Sequence, residues 1–181
     1  AANRLRALVR GTTDKSEYAD CDFVIEAVFE EVGVKQQVFG EIEGIVREDA
    51  ILATNTSSLS VEEIGAKLAH PERLVGFHFF NPVAVLPLLE VVRPDGASDE
   101  AVSTAFEVAK QLRKSAVQCA DTPAFIVNRV LSRFMGACTA AVSQGNDFGE
   151  VDDAITALGL PMGPFVLMGF VGLKFAYHTL E

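Results

Sequence analysis

Gly76-Phe77-His78-Phe79-Phe80-Asn81-Pro82 places one histidine at the end of a hydrophobic strand, and Leu88-Leu89-Glu90-Val91-Val92 places a lone carboxylate twelve positions later inside another. Imidazole is the side chain whose charge changes nearest neutral pH. A histidine held against a carboxylate in apolar surroundings therefore suits proton transfer at pH 7. A carboxylate among Leu88, Leu89, Val91 and Val92 needs a partner, and the sequence offers His78. In this reading Glu90 fixes the imidazole tautomer and stabilises the imidazolium as it forms. The competing reading is a satisfied histidine at a strand end and a glutamate at a solvated strand edge. His70, beside Pro71, and His178, near the terminus, keep that ordinary reading.

Further polar residues fall where a parallel sheet delivers side chains to a ligand crevice. Ser57 follows a strand in Thr54-Asn55-Thr56-Ser57-Ser58, although Ser57 or Ser58 could instead cap the helix starting near Ser60. Glu30 ends a strand at the carboxyl edge of the sheet, and Lys35 lies on the helix that follows. A solvated charge at a helix start competes with a binding role for both. Glu26 breaks the apolar pattern of its strand and calls for a partner. Asn128 lies in the first turns of a helix after Pro123, where a helix-surface asparagine is the simple alternative.

The elements that must position these residues are readable from periodicity. Asn3 to Arg10 reads as a short amphipathic helix and Gly11 to Asp14 as a turn. Asp22–Phe29, Ala50–Thr54, Arg73–Phe79, Leu86–Val92 and Ser115–Cys119 read as strands. Helical spacing runs from Val32 to Val46, from Ser60 to about Leu68 and from Ser98 to Arg113. Ser60 with Glu63 fits a capping box, and Ser98 with Asp99 and Glu100 fits a helix start. Beyond Asp121-Thr122-Pro123 the strand pattern stops. A long helix is expected to about Gln144, with Pro123 in its first turn, then one from Glu150 to Leu158 and one from near Pro164. The fold class is α/β: a partial Rossmann-like, mostly parallel sheet over residues 1–120, followed by an all-α C-terminal domain over 121–181.

Composition narrows the function. The chain has 181 residues, 49% hydrophobic and 22% charged, with a formal net charge of −10. Such acidity argues against non-specific nucleic-acid binding, though local dipoles can still hold a small phosphate-bearing ligand. No run approaches the ~18 apolar residues of a membrane span, and no secretory pattern opens the chain. Cys21, Cys119 and Cys138 are too far apart for a metal knuckle and favour a reduced, cytoplasmic setting. No metal is expected.

A pyrophosphate site of the Rossmann kind needs Gly-x-Gly-x-x-Gly after its first strand. None of the 14 glycines lies two positions from another. The expectation is a nucleotide-binding domain whose first half precedes residue 1. The apolar pattern from Phe165 to Leu180, with no C-cap, likewise suggests more chain or a partner subunit.

Six segments, in order, carry a resemblance: Asp22-Phe-Val-Ile-Glu-Ala-Val-Phe-Glu30, Thr54-Asn-Thr-Ser-Ser-Leu59, Gly76 to Pro82, Leu88 to Val92, Asp121-Thr-Pro-Ala-Phe-Ile-Val-Asn-Arg129 and Gly159-Leu-Pro-Met-Gly-Pro164. Together they resemble the L-3-hydroxyacyl-CoA dehydrogenases. The stretch from His70 to Val92 is similar to the bacterial multifunctional β-oxidation proteins. The resemblance implies reversible NAD-dependent oxidation of an L-3-hydroxyacyl-CoA, with His78 as base, Glu90 as its orienting acid and Ser57 at the substrate oxygen. It implies that Asn128 reaches across a domain cleft to the substrate carbonyl and the histidine. Glu30 and Lys35 match cofactor-contacting positions, and Asn55 a position near the nicotinamide and thioester. It implies an acyl-CoA substrate, and self-association or further domains of a longer chain. Two other readings remain: a catalytically silent acyl-CoA-binding or scaffold fragment, and a related hydroxy-acid dehydrogenase that does not use CoA.

Overall fold

The short apolar runs become the strands of one sheet. A computed structural model describes residues 8–171. Its strands are β1 (Phe23–Glu26), β2 (Ile51–Thr54), β3 (Leu74–Phe79), β4 (Leu88–Arg93) and β5 (Ser115–Ala120), side by side in that order. β1–β2, β2–β3 and β4–β5 pair parallel, while β3–β4 pair antiparallel. Parallel neighbours need a crossover. The helices α1 (Val32–Glu43), α2 (Val61–Gly65) and α3 (Asp99–Gln111) provide the three crossovers. Between β3 and β4 the chain simply reverses, through a loop containing a cis Asn81–Pro82 bond.

Several elements are shorter than periodicity suggests, for local reasons. β1 stops at Glu26 because the Val28 amide turns to the Glu26 carboxylate, at 2.6 Å, instead of joining the ladder. α2 stops at Gly65, where the backbone passes so close to Leu74 that a Cβ would lie 3.0 Å from its Cδ2. Ser60 caps α2 by accepting from the Glu63 amide at 3.1 Å. Asp121 adds a long-range cap: its carboxylate accepts from the Val61 and Glu62 amides at 3.0 and 2.8 Å and from the Ser60 hydroxyl at 2.9 Å. The helix expected over Asn3–Arg10 lies mostly outside the described residues, and Val9 and Arg10 are not helical.

Alternation along the strands gives the sheet two distinct faces. On one face Ile51, Ala53, Val75, Phe77, Leu89 and Val91 pack with Ala101, Val102, Ala105 and Ala109 of α3 in the main core. Small residues spaced four apart let α3 lie close on the strands. Phe77 is fully buried, edge-on to Phe23 and Phe79 at 5.3 and 5.2 Å. Burial of a side chain this size stabilises by about 3 kcal/mol. The other face presents Gly76, His78, Glu90 and Val92, with Val61 of α2 against it.

The chain divides into two compact units, the first ending at Asp121 and the second opening at Thr122. The second unit contains α4 (Val127–Ser143), α5 (Phe148–Ala157) and α6 (Pro164–Val171). Pro123 does not occupy the first turn of α4. It precedes a tight turn in which Ala124 and Phe125 adopt φ of 62° and 50°, and α4 begins at Val127. Asp147 and Glu150 form a capping box on α5. Asp152 reaches from α5 to accept from the Phe165 and Val166 amides, capping α6. Gly145 and Gly159, at φ of 103° and 98°, supply the left-handed turns after α4 and α5. The remainder of the C-terminal helix expected to Leu180 lies outside the described residues.

A Cβ at Gly76 would stand 2.5 Å from the Cβ of Val92 and 3.1 Å from a methyl of Val61. Gly76→Ala should therefore lower stability by about 1–3 kcal/mol through overpacking. An unchanged urea midpoint would contradict the close approach of these strands.

Candidate active site

Antiparallel register sets His78 directly opposite Glu90. Residues so paired project from the same face with Cβ atoms roughly 5 Å apart. The imidazole Nδ1 lies 2.7 Å from Glu90 Oε2, with Glu90 fully buried and His78 6% exposed. An ionised carboxylate only accepts, so Nδ1 donates to it and the basic lone pair resides on Nε2. The Phe80 ring tilts against the imidazole with centroids 4.6 Å apart, adding an apolar wall. Nearby on β5, burial first and then the carboxylates of Glu90 and Asp121 push the Cys119 thiol up to about 12. It stays protonated at neutral pH and is no nucleophile.

Glu30, expected to end a strand, instead lies in the loop after β1 and reaches across to the end of β2. Its Oε1 accepts from the Thr56 hydroxyl and the Ser57 amide, each at 2.7 Å, and from the Ser57 hydroxyl at 3.1 Å. Its Oε2 lies 3.3 Å from Lys35 Nζ. Burial by itself would raise the Glu30 pKa. The hydrogen bonds from Thr56 and Ser57, with the Lys35 charge, outweigh it and hold the carboxyl below its ordinary value. The N-cap of α2 is Ser60 rather than Ser57 or Ser58, and the Ser58 and Leu59 amides turn to Thr56 Oγ1.

Lys35 is not a solvated charge at a helix start. It is completely buried, with Nζ 2.8 and 3.0 Å from the two oxygens of Glu26. Glu26 thereby gains the partner its apolar strand required, and it also accepts from the Thr54 hydroxyl at 2.7 Å. Asn55 accepts from the Phe79 amide at 3.0 Å through its side-chain oxygen, tying the end of β2 to the residue after His78. Asn128 lies in the first turn of α4, in the second unit.

The sheet thus joins His78 to Glu90, and Ser57 to Glu30 and Lys35. Thr54, Thr56 and Asp121 were not singled out in the sequence for these contacts. For Thr54 the advance signal was Glu26, a charge inside an apolar strand that calls for partners.

Residues 1–122 match the family model described as 3-hydroxyacyl-CoA dehydrogenase, NAD binding domain, and residues 125–181 match 3-hydroxyacyl-CoA dehydrogenase, C-terminal domain. The chain is similar to the fatty acid oxidation complex subunit alpha of Pseudomonas putida, 44% identical over 94% of this chain and 24% of the relative. It resembles the subunit of the same name from Psychrobacter cryohalolentis equally, 44% over 96% of this chain and 24% of the relative. The chain thus spans about a quarter of the length of these curated relatives. Among solved structures it is similar to M. tuberculosis FadB2 (TM-score 0.92, 39% identity, 95% of this chain and 62% of that one). It is also similar to (S)-3-hydroxybutyryl-CoA dehydrogenase PaaH1 from Ralstonia eutropha (TM-score 0.93, 32% identity, 98% of this chain and 64% of that one). Among the described residues no helix is long and apolar enough to cross a membrane, and no cluster of ligating side chains could hold a metal ion.

Two measurements probe these contacts. Glu26→Ala leaves the Lys35 ammonium buried without its main partner and should cost about 3–5 kcal/mol. The paired change Glu26→Gln with Lys35→Met should cost clearly less, because no buried charge is then stranded on that strand. Equal losses in chemical denaturation would contradict the ion pair. Glu30 contributes stability that is complete above its unfolded value of 4.5 and is lost as pH falls through its lower folded value. Glu30→Gln should accordingly flatten the fall of Tm with acid below that value, and an identical acid limb would refute the assignment.

Proposed function

The chain belongs to the 3-hydroxyacyl-CoA dehydrogenase family, and we propose that the protein oxidises L-3-hydroxyacyl-CoA to 3-ketoacyl-CoA with NAD, within fatty-acid β-oxidation. The observation that carries this reading is the buried His78–Glu90 pair at 2.7 Å. His78 Nε2 takes the hydroxyl proton of the substrate. Glu90 keeps the proton on Nδ1 and stabilises the imidazolium as charge develops. Ser57 hydrogen-bonds the reacting oxygen, and Asn128 is carried over as a substrate contact by family resemblance.

The donor set at the end of β1 and β2 fits a nicotinamide riboside. Glu30 has a side chain 38% exposed, beside the exposed apolar side chains of Val28 and Phe29. A carboxylate of this kind accepts ribose hydroxyls, and the apolar neighbours suit a ring. Asn55 has its oxygen engaged by Phe79, so its amide nitrogen is the group it can donate. Glu30 and Asn55 would hold the nicotinamide end. When bound, NAD supplies the hydride acceptor, and the proton chemistry rests on the chain's own residues.

We read the first unit as part of the NAD-binding domain and the helical unit as serving substrate contact and self-association. An open groove of about 370 Å³ between α4 and α5, lined by Phe134, Ala137, Ala141 and Ile155 among others, supports the latter. The free Cys21, Cys119 and Cys138 support a reducing, cytoplasmic setting.

The test is reduction of acetoacetyl-CoA by NADH, followed at the nicotinamide absorbance band. A protein that binds both ligands without loss of absorbance would defeat the proposal. His78→Ala and Glu90→Gln should each lower turnover by ~10²–10⁴, the range for acid–base assistance. Near-normal turnover in either variant removes that residue from the mechanism.

A further inference from the structure

Three residues past His78 the chain enters a loop with no core of its own. Asn81 to Pro87 are all exposed, with Val83, Val85 and Leu86 at 41%, 73% and 39%. Apolar burial therefore does not fix the shape of this loop. Its internal order is one helical turn, in which the Val85 and Leu86 amides both bond the Pro82 carbonyl, at 2.9 and 3.0 Å. Carbonyls at the far end of such a turn have no partner within it. Lys114 supplies one: its ammonium donates to the Val83 carbonyl and, at 2.8 Å, to the Leu86 carbonyl. The neighbouring Ser115 amide donates to the Pro87 carbonyl, also at 2.8 Å.

The end of α3 places Lys114 for this task. The Arg113 amide donates to the Lys110 carbonyl and the Lys114 amide to the Ala109 carbonyl, both at 2.9 Å. That pair of bonds needs a left-handed residue, ordinarily glycine. Arg113 takes the position instead, at φ 59°. A residue with a side chain keeps such a conformation only where its surroundings over-determine it. The turn is held on its far side by the Lys114 and Ser115 bonds to the loop. At the near end of the loop stands Phe80, half-buried, its ring 4.6 Å from the imidazole of His78. We infer that Lys114 is a positioning residue for His78: by closing the β3–β4 loop on the α3–β5 turn, it keeps the Phe80 ring against the imidazole. A misplacement of about 1 Å near reacting atoms can cost on the order of 10²-fold in rate, so a residue that touches neither ligand can still govern turnover. The effect on turnover rests on the dehydrogenase reading. The hold on Phe80 does not.

The experiment uses the intact protein in four forms: unchanged, Lys114→Met, Phe80→Leu, and both changes together. Lys114→Met strands no buried charge, and a urea midpoint close to that of the unchanged protein checks that the fold survives. Three quantities are read: amide hydrogen exchange at Val85 and Leu86, the His78 ring-proton signal in histidine-labelled protein, and the kinetics of acetoacetyl-CoA reduction by NADH. The His78 signal is assigned by its loss in His78→Ala, and Phe80→Leu gives its position without the aromatic ring. Lys114→Met should speed exchange at Val85 and Leu86 about tenfold or more. It should also move the His78 signal at least halfway to its Phe80→Leu position. It should lower kcat about fivefold or more while the NADH dissociation constant changes by less than about twofold. In the Phe80→Leu background the same change should lower kcat by less than about twofold further, because the two residues act in one chain of contacts. Unchanged loop exchange in Lys114→Met overturns the inference. So does faster exchange with an unmoved His78 signal, since the loop then does not hold Phe80. A fall in kcat just as large in the Phe80→Leu background overturns it too, because Lys114 would then act by another route. Absence of turnover in the unchanged protein counts against the dehydrogenase reading alone, and the exchange rates and the His78 signal still decide the role of Lys114.

Discussion

A carboxylate with no exposed surface has to be met by donors that the fold delivers, or it cannot remain charged. Glu90 is met across the sheet by His78, in antiparallel register, at 2.7 Å. The local topology meets that requirement. β3 and β4 are the antiparallel pair in a sheet whose other pairings are parallel. Facing residues on that pair project from the same face and bring the ring nitrogen and the carboxylate into hydrogen-bond contact. A slip of one residue in either strand would turn its member of the pair to the α3 face and away from its partner.

The two faces of the sheet divide the labour. The α3 face is filled by apolar side chains and alanines, without titratable groups among its core members. The opposite face carries His78 and Glu90, and on it Gly76 lets Val61 and Val92 pack closely over β3. Packing on the first face makes the strands stiff, and stiff strands hold the acid–base pair to a fixed separation. The same logic recurs at the ends of β1 and β2. There, Glu26 and Lys35 hold one another in the core while Glu30 reaches out toward Ser57.

Much of this was legible along the chain. The strand and helix order, the Ser60 and Ser98 caps and the mostly parallel α/β class follow from spacing and from residues that act on near neighbours. The His78–Glu90 contact was also within reach, because an isolated acid in an apolar strand leaves few partners. The ends of elements were less legible. β1 is cut short by a bond from Val28 to Glu26, and the start of α4 is delayed by the left-handed turn at Ala124 and Phe125. Such departures depend on side-chain contacts that periodicity does not encode.

The sequence by itself determined the types of group available, their order, and the family to which they belong, since these rest on residue identity and local period. It also determined that Glu26 and Glu90 would need partners, because charge inside an apolar strand costs free energy wherever the strand lies. The sequence offered His78 to Glu90, whereas only the tertiary structure decided which partner Glu26 found. Lys35 read either as a cofactor contact or as a solvated charge until α1 folded back over β1 and turned its ammonium onto Glu26, and Asp121 marked only the end of the strand pattern until β5 carried it to the start of α2. The physical reason is that hydrogen bonds and ion pairs are decided at three ångströms, and that distance is set by register and crossover between segments far apart in the chain.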